Sequence, residues 1–202
     1  MTSLPMRDPR TDHLLTPQNS ALVIIDYQLV QVTSIASMDR RALVENIVSV
    51  AKTAKLFRLP IILSTVNVKS GKNPPTIPQL TEVLGNIPSF DRTQINAWED
   101  SEFLAAVKAT DRKKLIMTAL WTEACLTFPT LDALREGYEV YPVVDAVGGT
   151  SLEAHRAALE RVTRAGAQPV SWVQLMCELQ RDWARTETAA PLAKLLFSVE
   201  GH

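Results

Sequence analysis

The stretch Leu115-Ile116-Met117-Thr118-Ala119-Leu120-Trp121-Thr122-Glu123-Ala124-Cys125-Leu126 decides how this chain folds. Its first half follows Lys113 and Lys114 and is an apolar run without alternation, the pattern of a buried strand. The segment beyond it, through Leu131, Leu134 and Arg135, has helical character and stops at Gly137. Cys125 therefore falls where a strand turns into a helix. In an open α/β sheet that carboxyl edge is where ligands bind. Backbone N–H groups at a helix start have no internal partner and carry partial positive charge. A thiol there is expected to favour its thiolate, which is the nucleophilic form. Free cysteine is also among the most buried residue types, so the position alone does not make it reactive.

Outward from this stretch, the pattern repeats. Ala21-Leu22-Val23-Ile24-Ile25 is a second unbroken apolar run, ending at Asp26-Tyr27-Gln28. Arg41 to Leu59 carries Leu43, Ile47, Val50, Ala51, Ala54 and Phe57 at near-helical spacing, with Pro60 as the stop. Ile61 to Thr65 is the next strand. Residues 66–98 are rich in glycine and proline, with a short helix expected over Pro78–Leu84; so long a loop in a compact domain is usually functional. Asp100 is placed to cap a helix over Ser101–Thr110. After the Cys125 helix come a strand over Glu139–Val144 ending at Asp145, and a capping box at Thr150-Ser151-Leu152-Glu153 opening a helix to Arg164. A last strand over Gln168–Trp172 and a last helix over Val173–Arg185 follow. Alternating strands and helices predict a three-layer α/β/α domain over residues 21–185, with a mostly parallel sheet of five or six strands. Residues 1–20 read as an irregular surface arm. The tail 186–202, with Leu192, Leu195, Leu196 and Phe197, reads as a segment docked on a neighbouring subunit or on the body.

The totals narrow the function. A chain of 202 residues with 46% hydrophobic and 21% charged residues is ordinary for one globular domain. A net charge of −1 without a basic tract argues against nucleic acid or an anionic membrane as partner. No apolar run is long enough to span a bilayer, and Met1–Ser20 lacks the apolar core of a signal peptide. Two cysteines, Cys125 and Cys177, make no disulfide framework, so reduced thiols and a cytoplasmic location are expected. Cys177, inside a helix, reads as a core residue. Asp145 reads as a turn cap, and His155 as solvated or structural.

Ile25-Asp26-Tyr27-Gln28, Asn96-Ala97-Trp98 and Leu120-Trp121-Thr122-Glu123-Ala124-Cys125 together resemble the isochorismatase-like cysteine hydrolases. Gly166-Ala167-Gln168 and Cys177 to Trp183 resemble the YcaC-type branch, and the likeness runs from about Ala21 to Trp183. The resemblance implies an Asp, a basic residue and a Cys acting together on a small-molecule substrate. Asp26 and Cys125 match those positions, and the basic one falls on Arg92, where most of the family has Lys. Arginine keeps its proton at working pH, so it can orient and neutralise but not shuttle. Lys114 precedes its strand and so belongs at the wrong end of the sheet. The resemblance also implies a cis peptide at Leu120–Trp121 and an oxyanion hole formed by the Trp121 and Cys125 N–H groups. Tyr27, Gln28, Trp98 and Trp121 are candidates for the substrate pocket.

The apolar tail past Thr186 predicts a homo-oligomer, for which the resemblance implies an octamer, and no cofactor is expected. The metal-binding nicotinamidase branch carries an Asp and histidines after the second strand. Here that stretch is Val66-Asn67-Val68-Lys69, so no metal site is expected. The activity implied is hydrolysis of a small amide or related C–N bond through a thioester. Two rival readings are a single-cysteine redox protein, which lacks a resolving cysteine, and a non-catalytic oligomeric member of the fold. A dinucleotide-binding domain is disfavoured, because no Gly-x-Gly-x-x-Gly follows the first strand.

Overall fold

The computed structural model describes residues 4–199. Five strands form one all-parallel sheet: β1 (Ser20–Ile25), β2 (Ile61–Val66), β3 (Ser89–Arg92), β4 (Lys114–Ala119) and β5 (Glu139–Pro142). Their spatial order is β3-β2-β1-β4-β5. The chain thus builds outward from β1 in one direction and then restarts on its other side at β4. The gap between β1 and β4 is the topological switch point, where open parallel sheets bind ligands.

Every residue of β1 and β4 is buried, which is why neither sequence alternates. The two-residue period sorts β1 between two cores. Leu22 and Ile24 join α2 (Arg40–Leu56), α3 (Pro78–Leu84) and α7 (Trp172–Gln180) on one face. Ala21, Val23 and Ile25 join α4 (Ser101–Ala109) and α5 (Thr127–Arg135) on the other. A short α1 (Leu29–Thr33) follows β1, and α6 (Leu152–Arg164) lies beside α5. Asp39, Asp100 and Ser151 cap α2, α4 and α6 by accepting from the backbone N–H three residues on. The α6 cap is therefore Ser151 rather than Thr150.

The sheet departs from the sequence reading at both edges. The loop-rich region contains an unforeseen strand, β3, which is short, polar at three of its four residues and at the sheet edge. The expected strand over Gln168–Trp172 shrinks to a single bridge, Val143 with Val170. Pro142 lacks the N–H that would donate to the Gln168 carbonyl and extend that ladder. Helix α2 ends at Leu56 rather than Leu59 because Arg58 takes a left-handed turn, φ 56°, ahead of Pro60.

The segments before β1 and after α7 are tied down among the described residues. Leu15 is fully buried, its N–H donates to Glu178 Oε2, and Arg181 bonds Asp12 and the Leu15 carbonyl. Residues 12–19 are thus packed rather than a loose surface arm. The tail forms α8 (Thr186–Val199), which packs on α2 and α7 of its own chain through buried Leu192 with Leu195 and Leu196. No described helix is long and apolar enough to cross a membrane.

Candidate active site

Asp26 is the residue immediately after β1, and it is fully buried. Its φ of 62° lies in the left-handed region, which Asp tolerates better than most residues. The Asp26 N–H still donates to the Ser64 carbonyl of β2, and the chain then turns sharply as the Gln28 N–H bonds back to the Asp26 carbonyl. The carboxylate is left facing the switch point.

Arg92 ends β3, two strands away, and reaches Asp26 across β2. Its Nη1 donates to Asp26 Oδ1 and its Nη2 to Oδ2, both at 2.7 Å, a bidentate pair with both side chains at 0% exposure. Nη1 also donates to Ser64 Oγ and the Thr65 carbonyl on the intervening strand, and Nη2 to the Ile95 carbonyl. These bonds matter because removing two charges from water costs several kcal/mol per ion unless geometry and hydrogen bonds compensate. Burial pulls the guanidinium pKa down, and the Asp26 hydrogen bonds and charge more than offset it, leaving Arg92 above its ordinary value. The unforeseen strand β3 is what delivers this side chain.

Cys125 arrives from β4, the neighbour of β1 on the other side. The Leu120–Trp121 peptide is cis. The chain then makes a π turn over Thr122–Leu126 before α5, with the Leu126 N–H bonded to the Trp121 carbonyl five residues back. Cys125 is buried, and the Asp26 carboxylate and the Trp121 N–H lie close enough to its sulfur to shift its titration. Burial, then the Asp26 charge and hydrogen bond, push the thiol up to about 12, against a smaller lowering by Arg92 and Trp121. Both causes oppose the thiolate that the strand-to-helix position favours. The helix-start effect is outweighed by desolvation and by the neighbouring Asp26 carboxylate.

Of the four pocket candidates, only Trp121 keeps a partly open side chain, and its Nε1 donates to Ser34 Oγ beyond α1. Tyr27 is fully buried in the core, with its hydroxyl donating to the Ala146 carbonyl. Gln28 is also fully buried; its amide donates to the Val66 and Pro74 carbonyls and accepts from the Val66 N–H. It clasps the end of β2 to the loop after it and offers nothing to a substrate. Trp98 packs edge-on against Phe103 and Tyr138 and donates to Glu136. The exposed apolar groups at this edge are Leu29 and Val30 of α1, and Ile95.

The remaining candidates lie elsewhere. Lys114 sits at the opposite end of the sheet, bonded to Glu139, Tyr141 and the His13 carbonyl. Asp145 accepts from the Trp172 N–H, a structural cap. Cys177 is exposed, not in the core. The buried positions of α7 are 172, 175, 176, 179 and 180, a helical stripe that leaves 177 outside, so the spacing carried this signal. Among the described residues no group of three or more His, Cys, Asp or Glu is placed to hold a metal. A surface cavity of about 430 Å³ lies between the N-terminal arm and α7, away from Cys125.

A parallel α/β sheet with an Asp–Arg pair against a cysteine at its switch point defines a candidate cysteine-dependent site. Residues 20–174 match the isochorismatase domain, and the chain belongs to that family. The probable hydrolase YcaC of Escherichia coli K12 is 35% identical over 170 residues, 84% of this chain and 81% of that protein. A structure of YcaC from Pseudomonas aeruginosa, with hexane-2,5-diol and covalent acrylamide, superposes with a TM-score of 0.82 at 34% identity, covering 94% of this chain and 98% of the other. The E. coli YcaC structure, described as an octameric hydrolase of unknown specificity, gives 0.81 at 31% identity, covering 94% and 97%.

Proposed function

We propose that this protein is a cysteine hydrolase that cleaves a small amide or a related C–N bond. The observation that carries the proposal is the buried Cys125 thiol beside Asp26, itself clamped by Arg92. A thiol held protonated needs a base at the moment of attack, and Asp26 is that base. As the Cys125 sulfur bonds to the carbonyl carbon, its proton passes to Asp26. The Trp121 and Cys125 N–H groups hold the developing oxyanion. Asp26 then gives the proton to the nitrogen as the C–N bond breaks, and the amine leaves a thioester on Cys125. Water attacks the thioester with Asp26 again taking the proton, and the thiol is regenerated as the carboxylic acid departs. Arg92 keeps its proton throughout and balances the charge on Asp26.

A redox role is weaker, because a buried thiol pushed up to about 12 is a poor thiolate at neutral pH. The kinship with an octameric relative supports a homo-oligomer here, with an octamer as our reading. Acrylamide is both a small amide and a thiol electrophile, and its covalent presence in the P. aeruginosa relative makes it a suitable probe. The test is a panel of small neutral amides assayed for ammonia or amine release with the parent chain and with Cys125→Ala. Turnover by the parent alone supports the proposal, and equal turnover by both overturns it.

A further inference from the structure

Cys125 is held in place from behind by residues outside the Asp–Arg–Cys group. The π turn that carries it, with the residue ahead of the cis bond, is pinned to the loop before α6 at three points. Leu120 bridges Gly148, the Thr122 N–H donates to the Gly148 carbonyl, and Glu123 Oε1 accepts both the N–H and the hydroxyl of Thr150, at 3.0 and 2.6 Å. Thr122 Oγ1 also bonds His155 Nδ1 of α6 at 2.8 Å. The loop is braced in turn on the α1–α2 connection. The Ala36 N–H donates to the Gly149 carbonyl, and the Gly149 N–H to Ser37 Oγ.

This packing leaves no room for side chains in the loop. A Cβ on Gly148 would lie 2.8 Å from Ile35, and one on Gly149 would lie 2.6 Å from Glu123 Oε2. Glu123 Oε2 is buried without a hydrogen-bond partner. A carboxylate oxygen in that condition is costly to keep, and a structure carrying one needs a reason. The charge is favoured by the start of α6, which begins two residues after Thr150. His155 feels the Glu123 charge as an attraction and the Arg156 charge as a repulsion, while burial holds its ring below the ordinary histidine value.

We propose that Glu123 is a positioning residue, which through Thr150 locks the π turn so that the Cys125 thiol stays buried against Asp26. The proposal rests on the reading of Cys125 as nucleophile and names a residue that makes the pairing with Asp26 possible. Glu123 touches no reacting atom. Its side chain points at the α6 start, two residues before the sulfur. Freed from Thr150, the turn slackens and the thiol moves towards solvent and away from the carboxylate.

The test is the pH dependence of Cys125 alkylation by acrylamide in a Cys177→Ser background, which needs no substrate. For Glu123→Ala the expected result is an alkylation midpoint at least about one pH unit below the parent's, with the rate at pH 8 up about threefold per unit, since nucleophilicity falls more slowly than the thiolate fraction grows. Amide turnover is expected to fall at the same time. Glu123→Gln keeps an oxygen that accepts from Thr150 and is expected to retain the parent midpoint. Should Glu123→Ala fail to fold, Thr150→Val removes one of the two bonds and is expected to shift the midpoint in the same direction. A variant that melts earlier but keeps the parent midpoint overturns the proposal, because a merely structural glutamate would do that. A parent chain that hydrolyses no amide would defeat the proposed function, and the alkylation midpoints would still decide this one.

Discussion

Asp26→Asn, in a Cys177→Ser background, separates two accounts of how the thiol is activated. Asparagine keeps the volume of the side chain and one acceptor oxygen for Arg92, but removes the charge. In the folded protein that charge is the second cause, after burial, of the raised thiol pKa, and Arg92 opposes it. Two unit charges about 4 Å apart at an effective dielectric of about 20 interact by about 4 kcal/mol. One pKa unit is about 1.4 kcal/mol, so the thiol should fall by about three units. From about 12 it then reaches the ordinary thiol range. The thiolate fraction at pH 8 rises about a thousandfold, while the lower basicity of the sulfur reduces its intrinsic rate about 20-fold. The net expectation is acrylamide or iodoacetamide labelling of Cys125 about 50-fold faster than in the parent, with amide turnover lost. Intact-mass kinetics from pH 6 to 10 read the labelling. Melting curves are run alongside, since disturbing a buried ion pair costs about 3–5 kcal/mol when one partner is left uncompensated. Slower labelling than the parent would refute the reasoning. It would mean that Asp26 already holds the proton and that a thiolate is the resting state.

Arg92→Ala should act in the opposite direction, raising the thiol pKa and slowing labelling across pH 6 to 9, whereas Arg92→Lys should keep most reactivity; an unchanged profile in Arg92→Ala would show that the cation comes from elsewhere. The raised thiol also links to stability, with its sign fixed as follows by proton binding. Between the ordinary value of 9.0 and about 12 the native state keeps a proton that the unfolded chain releases, so stability falls as pH rises through that window. Relative to Cys125→Ala, denaturant melts should show a loss of up to about 4 kcal/mol by pH 12 and no difference in slope below pH 8. Light scattering at micromolar concentration should give a mass about eight times the 22.4 kDa of one chain, and a monomer would refute the homo-oligomer.

The sheet centre and the edge strand β5 were legible in the sequence, and the other edge, β3, was not. β1 and β4 are buried on both faces, so their composition alone marks them, and Asp26 and Cys125 follow from where those runs stop. β3 is a four-residue edge strand, Ser89-Phe90-Asp91-Arg92, with its first residue exposed, and no local pattern separates it from a loop. The position of Arg92 was legible only through family resemblance, because what makes it reach Asp26 is the strand order β3-β2-β1. Tyr27 and Gln28 looked like pocket residues because they follow Asp26 directly. Their partners, Ala146, Val66 and Pro74, are remote in sequence, so their structural roles emerge only in the fold. Burial depth and carboxylate proximity, which oppose the thiolate at Cys125, are tertiary quantities that local sequence does not carry. Cys177 is a different case, since the spacing of Leu175, Met176 and Leu179 already placed it on the outer face.

The central claim is that Cys125 carries the acyl group during turnover. Rapid acid quench of the enzyme with an amide that it hydrolyses, followed by peptide mass mapping, tests this directly. The account requires the acyl mass on the Cys125 peptide within the first turnover, its disappearance once substrate is exhausted, and no adduct in Cys125→Ala. Steady turnover with an unmodified Cys125 at every quench time, together with undiminished activity in Cys125→Ala, would contradict it.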